Sequence, residues 1–369
     1  MKKRLLAILL IVVMAVSLTA CGSSGGETTT KAPETTTKAP ETTTKAPETT
    51  TAKPEDTTTS GGSGGIGKDV KDIKLAFCIN NMADAFPITI LRGVKDCIKD
   101  YGIPEENLIY QGSPVSDFTQ QTTILENMLI GTDVDGLLII PTGGDNMLIP
   151  IQEAIETYNI PVVTMDQGIT DENSFIAHVS SDNYIGGQMA AEALDTLIKE
   201  AGAKSMRVAT IGSNPAADSN QNRLAGWRDR IKELGYTVVS EQWCLNDPST
   251  AATQTQQILL TFDDLAGMFG GNLFCSQGIS NALSSDGVKL PLVCFDAGAG
   301  QVEALRNKEV DALIVQKPYL IGYEATRMMI EYLVNGTVPE KYTRLEPCIA
   351  YYDDLENPEI NKYFYDVVE

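Results

Sequence analysis

The sequence predicts an α/β protein of two doubly wound, parallel-sheet, Rossmann-like lobes. Three observations lead there. From Lys74 onward, short apolar runs alternate with segments of helical period. That alternation runs through the chain twice. The repeats before Lys74, by contrast, carry almost no apolar side chains. Strand and helix alternating through short loops imply a parallel sheet covered by helices on both faces.

The elements follow in order. Lys74–Ile79 (KLAFCI) reads as a buried strand, short and apolar between polar residues. Phe86–Gly102 carries helical spacing and stops on glycine. Asn107–Gly112 is a strand, Thr119–Ile130 a helix, Val134–Pro141 a strand, Asn146–Asn159 a helix and Ile160–Asp166 a strand. The order then repeats. Strands are expected at Ser205–Gly212, Tyr236–Cys244, Leu265–Gly271, Leu290–Asp296 and Val310–Gln316. Helices are expected at Asn220–Gly235, Thr250–Phe262 and Ser276–Ser285. Ligands of open parallel sheets sit outside the carboxyl ends of the strands, so two such edges facing one another make a cleft for a small solute.

The chain begins with Lys2, Lys3 and Arg4, runs apolar from Leu5 to Val16 and reaches Leu18-Thr19-Ala20-Cys21. A charged start, a short apolar stretch and small residues before a cut describe an export signal. The apolar run is about a dozen residues, and a membrane span needs about 20. The last four residues resemble the lipobox of bacterial lipoproteins, which implies lipidation at Cys21 and a place at the outer face of the cytoplasmic membrane. TTTKAPE then begins at Thr28, Thr35 and Thr42, with a degenerate copy at Thr49 and a Gly/Ser run to Gly65. So polar a segment cannot offset the entropy of ordering and is expected to be a disordered tether.

Lys and Arg number 28 against 49 Asp and Glu, a net charge of -21, which argues against nucleic acid or an anionic surface as partner. The cysteines are Cys21, Cys78, Cys97, Cys244, Cys275, Cys294 and Cys348, without a CxxC pair or a zinc spacing. Disulfides and free thiols both remain open for the last six, with Cys78 and Cys294 in strand-like runs favouring free thiols. His178 is the single histidine, which leaves little for metal clusters or a Ser-His-Asp triad. No metal or cofactor is expected.

Four segments carry a resemblance: Ile79–Pro87 (INNMADAFP), Pro161–Gly168 (PVVTMDQG), His178–Ala191 (HVSSDNYIGGQMAA) and Leu292–Gly300 (LVCFDAGAG). In this order and spacing the chain resembles the type I periplasmic sugar-binding proteins of the ribose/galactose-binding kind. The resemblance runs from Ile73 nearly to the end. It implies a three-strand hinge between the lobes, a small-sugar ligand and a monomer that serves an ABC importer permease. The expected division is 1–20 leader, 21–68 tether, 69–181 with 317–348 as first lobe, and 182–316 with 349–369 as second.

Matched to the family pattern, Asp166 and Asp296 at two strand ends accept hydrogen bonds from sugar hydroxyls, one from each lobe. Charge-assisted bonds of this kind are short and strong. Gln316 and Asn272 offer both donor and acceptor. Phe86 matches an aromatic plate for the sugar face, and Asn81 a polar contact in the loop before it. The blander reading for the polar residues is a helix cap or loop, and for Phe86 a core position. Two family arginines are replaced by Gln167 and Gln221, while Arg223 lies two residues on. Losing two rigid forked donors implies a pocket unlike that for ribose. Asn246, Asp218, Asn222 and Trp243 are further candidates at the same edge, Trp243 equally as core. Asp182 or Asn183 is expected to cap a helix, and His178 to be structural. Two other functions fit less well: a sensor that presents a sugar or furanosyl signal to a chemoreceptor or histidine kinase, and a secreted carbohydrate-active enzyme using Asp166 and Asp296 as an acid/base pair.

Overall fold

The computed structural model describes residues 67–365. The leader, Cys21 and the repeats lie outside the described residues. Gly67 and Lys68, expected to close the tether, belong to the folded body instead. Gly67 N–H donates to the Leu333 carbonyl at 3.0 Å, and Lys68 pairs with Asp135.

In the first lobe the strands are β1 (Leu75–Ile79), β2 (Leu108–Gly112), β3 (Gly136–Ile139), β4 (Val162–Met165) and β5 (Ala177–Ser181). The second lobe has β6 (Arg207–Gly212), β7 (Thr237–Trp243), β8 (Gly267–Gly270), β9 (Leu292–Phe295) and β10 (Ala312–Val315). A late pair, β11 (Tyr342–Leu345) and β12 (Cys348–Tyr351), adds one edge strand to each sheet. The orders are β11-β5-β4-β3-β1-β2 and β12-β10-β9-β8-β6-β7, the same plan twice. In each the order reverses beside the lobe's first strand, which opens a crevice at the carboxyl edge. Central strands β1, β3, β4, β8, β9 and β10 are buried along their whole length, as sheets covered on both faces require.

The helices are α1 (Ala85–Asp100), α2 (Phe118–Leu129), α3 (Leu148–Tyr158), α4 (Asn183–Glu200), α5 (Asp218–Glu233), α6 (Pro248–Thr261), α7 (Leu273–Asp286), α8 (Ala299–Arg306), α9 (Pro318–Asn335) and the short α10 (Pro358–Asn361). Acidic or amide side chains cap several of them, and Asp182 caps α4 by accepting from the Ile185 N–H.

The chain passes between the sheets three times, at Ser181–Asp182, Gln316–Lys317 and Glu346–Pro347. The third passage places Cys348 in the second sheet, opposite Val315, rather than in the first. β11 runs parallel to β5 and so ends at the carboxyl edge of the first sheet; the two residues after it lead straight into the facing edge of the second sheet, so β12 runs antiparallel to β10 while all other described pairs are parallel. α8 and the elements beyond β10 were not legible as such: α8 is eight residues, β11 and β12 are four-residue edge strands of mixed polarity, and α9 is apolar on more than one face. That helix lies against β3, β4 and β5 on one side and α1 on the other.

Each lobe holds one close helix pair built on reciprocal glycines. An added Cβ at Gly187 would strike the Arg223 carbonyl, and one at Gly226 the Tyr184 carbonyl, which seats α4 against α5. Gly93 and Gly322 do the same for α1 and α9. Gly300 in α8 faces open space. Gly187→Ala is therefore expected to cost about 2–3 kcal/mol by overpacking, against a gain of up to about 1 kcal/mol for Gly300→Ala from helix propensity alone. Urea unfolding of the two variants checks the contrast; equal midpoints would show that the helices part without cost.

Candidate functional site

β4 and β9 occupy corresponding places in the two sheets, and each is followed by an aspartate. Asp166 has φ 61° and Asp296 φ 82°, left-handed values uncommon outside glycine. Both are anchored through their own N–H, which donates to the Val179 and Ile314 carbonyls at 2.9 Å. The chain thus turns sharply at each strand end and leaves a carboxylate at the edge where the crevices face one another.

Between those edges lies a cavity of about 410 Å³. From the first lobe Asn81, Phe86, Asp166 and Gln167 line it; from the second come Arg223, Asn246, Asn272 and Asp296, and Gln316 joins from the second passage between lobes. Gln221 does not take part. Its side chain is exposed and donates to the Pro215 carbonyl at 2.7 Å. On α5 it is Asn220 and Arg223, three apart and so on one face, that reach the cavity.

The two carboxylates are in different states. Asp296, 7% exposed, accepts from the Leu273 N–H at 2.9 Å, the Gln316 amide at 2.5 Å and the Tyr365 hydroxyl at 2.8 Å. Among the described residues no donor reaches the Asp166 carboxylate. Burial pushes Asp166 up to about 7; nearby Arg223 opposes this, while Asp296 and Asp84 add to it. Asp84 caps α1 through the Phe86 N–H at 3.0 Å and is also raised, first by burial and then by Asp296. Two more acceptors, Asn80 Oδ1 and Gln316 Oε1, are buried without a partner.

Arg223 is the cation among these acids, and most of it is already engaged. Its Nε and Nη2 donate to Asn183 Oδ1 at 3.2 and 2.7 Å, its Nη1 donates to the Gly271 carbonyl at 2.5 Å, and its plane lies 3.6 Å from the Phe295 ring centre. Three of the five guanidinium N–H groups are spent within the protein. Asn272 is both cap and lining residue: Oδ1 accepts from the Cys275 N–H at 3.0 Å, and Nδ2 donates to Asn246 Oδ1 at 2.9 Å. Gln167 Oε1 accepts from the Gly143 N–H at 3.2 Å, which turns its amide NH₂ free for another partner. Phe86 meets Tyr365 edge-on at 5.5 Å and packs against the cores of both lobes.

Sequence reasoning missed Asn80, Asp84 and Tyr365. Asn80 and Asp84 flank the expected Asn81 in one loop and were within reach of the strand-end rule. Tyr365 had no signal, because the C-terminal segment reaches the cavity only through tertiary folding. Asp218 and Asn222 line an adjoining cavity of about 540 Å³ that meets the first at Asp166 and Ser219. His178 also faces it, with Nδ1 bonded to Thr164 Oγ1 at 2.9 Å; burial and then Arg344 lower it to about 4, so it is neutral. Trp243 packs over Gly212 with the core. A groove of about 790 Å³ at the far end of the second lobe contains none of these residues.

Comparison with known proteins gives concordant results. The sequence pattern of the periplasmic binding protein domain matches residues 75–337. The ribose import binding protein of Bacillus subtilis (strain 168) is 27% identical over 259 residues, covering 69% of this chain and 80% of that protein. A D-apiose import binding protein of Paraburkholderia graminis is 25% identical over 209 residues, 55% of this chain and 65% of that one. An ABC transporter solute-binding protein of Agrobacterium vitis, solved with alpha-D-tagatopyranose, superposes with a TM-score of 0.73 at 26% identity, covering 80% of this chain and 100% of that one. Two crevices, three passages between lobes and a match over most of the folded body agree: this chain belongs to the periplasmic binding protein family.

Proposed function

We propose that the protein captures a small sugar between its lobes and delivers it to the permease of an ABC importer from the outer face of the cytoplasmic membrane. The observation that carries this reading is the set of acceptors without donors around one cavity: Asn80 Oδ1 and Gln316 Oε1, buried without a partner, and the half-buried Asp166 carboxylate. Buried acceptors cost free energy until a donor reaches them. A polyol brings several O–H donors at once, and its C–H face suits the Phe86 ring. The ribose and D-apiose import binding proteins and the neighbour solved with alpha-D-tagatopyranose support the class.

Contacts from both lobes stabilise the closed arrangement more than the open one, so ligand shifts the population through the three passages. The permease reads the closed surface. Gln167, where the ribose pattern has arginine, supplies a neutral amide, so the favoured ligand differs from ribose in hydroxyl pattern or size. Acyl chains on Cys21 hold the protein at the membrane.

Asp166 separates binding from folding, because nothing in the protein bonds its carboxylate. Once a binding sugar is found in a thermal-shift screen, Asp166→Asn is expected to weaken it about 10- to 100-fold in calorimetry. Unchanged affinity would remove Asp166 from the site.

A pH series follows from the raised pKa. The ligand donates to the ionised carboxylate, so affinity is full above pH 7 and falls as pH drops below it. The ligand-free protein behaves oppositely. Its Asp166 holds a proton that the unfolded chain loses near pH 4, so this group's contribution to stability declines as pH rises from about 4 to about 7. Melting and calorimetric curves of Asp166→Asn should lack both trends. For the anchor, Cys21→Ser is expected to move the protein from the membrane fraction into the medium; retention at the membrane would refute lipidation as the tie.

A further inference from the structure

Among the described cysteines, all free, one pair is in contact: Cys244 and Cys275, with sulfurs 3.4 Å apart. Cys244 follows β7, and Cys275 stands in the first turn of α7. They are 1% and 0% exposed. Directly beside them in the chain are two cavity residues: Asn246 lies two after Cys244 and Asn272 three before Cys275, and these amides bond to each other at 2.9 Å. The Cys275 N–H donates to Asn272 Oδ1 at 3.0 Å, so the thiol pair and the amide pair share one scaffold.

We infer that Cys244 and Cys275 close into a disulfide that clamps together the two second-lobe loops carrying Asn246 and Asn272. The sulfurs need to approach from 3.4 Å to about 2.05 Å. Periplasmic binding proteins of importers work outside the cytoplasm, where such bonds persist. The two thiols are also unequal. Hydrogen bonding from Cys275, then the Asn246 and Asp247 N–H groups, lowers Cys244 to about 7 against the opposing effect of burial. Burial, foremost, raises Cys275 well above the ordinary thiol range. The thiolate form attacks, and the balance of the exchange is the same whichever sulfur of the pair goes first.

The oxidant is a disulfide, either of a protein oxidase or of glutathione. Written with Cys244 first, its thiolate attacks one of the oxidant's sulfurs, the S–S bond breaks and one thiolate leaves. Cys275 then loses its proton and attacks Cys244 Sγ in the mixed disulfide, expelling the second thiolate. One S–S bond forms within the protein, two S–H bonds are lost, and two electrons reduce the oxidant to two thiols. Because neither sulfur is exposed, closure accompanies folding outside the membrane or a local opening of the loop after β7.

The full chain, unfolded in reductant and refolded in a glutathione/glutathione-disulfide buffer, is alkylated under denaturing conditions and mapped by peptide mass spectrometry. A Cys244–Cys275 linked peptide is expected, with a melting temperature higher by roughly 5 °C than the reduced protein, since the bridge spans a separation of 31 residues. Dithiothreitol reverses both. Cys244→Ser removes both, while Cys97→Ser, in α1 of the other lobe, leaves both. Full alkylation of all thiols after oxidative refolding, or a bridge between other cysteines, overturns the proposal. The wild-type peptide map needs no variant to fold, and it needs no sugar, so its outcome is independent of the ligand reading.

Discussion

A single buried carboxylate organises the second half of this molecule. Asp296 is nearly sealed from water, and a carboxyl group there requires hydrogen-bond partners. It receives them from three distant parts of the chain: the start of α7, the passage after β10 and the C-terminal turn at Tyr365. Each is thereby held at the cavity edge. The same contacts keep the second passage between lobes in register with the strand end it crosses, so the hinge and the cavity wall are coupled at one oxygen-rich point.

The two lobes repeat one design and then use it differently. Both have the same strand order, a reversal beside the first strand, an aspartate of positive φ after the fourth and a helix pair seated on reciprocal glycines. Yet Asp296 is satisfied internally and Asp166 is not. One half offers a preassembled wall, and the other keeps an acceptor for whatever enters. Under the proposed function such asymmetry suits a device in which one lobe closes onto another, because the unsatisfied group would gain its partner only in the filled, closed arrangement.

The electrostatics of the cavity agree with a neutral ligand rich in hydroxyl donors. Asp84, Asp166 and Asp296 face one guanidinium, and Arg223 is largely spent on Asn183, Gly271 and the Phe295 ring. Little remains to attract an anion, and the acids repel one. Arg223 instead ties α5 to the first residue of α4, where the chain has just passed between lobes, so it serves the hinge as much as the cavity.

Apart from α8, the alternation of strands and helices up to β10, the two-lobed plan and the placing of Asp166, Asp296 and Gln316 at strand ends were written in local sequence, since period, length and apolar runs are local properties. Proximity in space is not. Helical phase on α5 decided that Asn220 and Arg223, rather than Gln221, face the cavity, and a one-residue error there rotates the side chain by about 100°. Tyr365 reaches Asp296 across 69 positions, and the sulfurs of Cys244 and Cys275 meet only because β7 ends and α7 begins at the same edge. The edge strands β11 and β12 take their partners and direction from the sheets they join. Their own four residues hold too few side chains to specify either, so only the assembled fold could settle them.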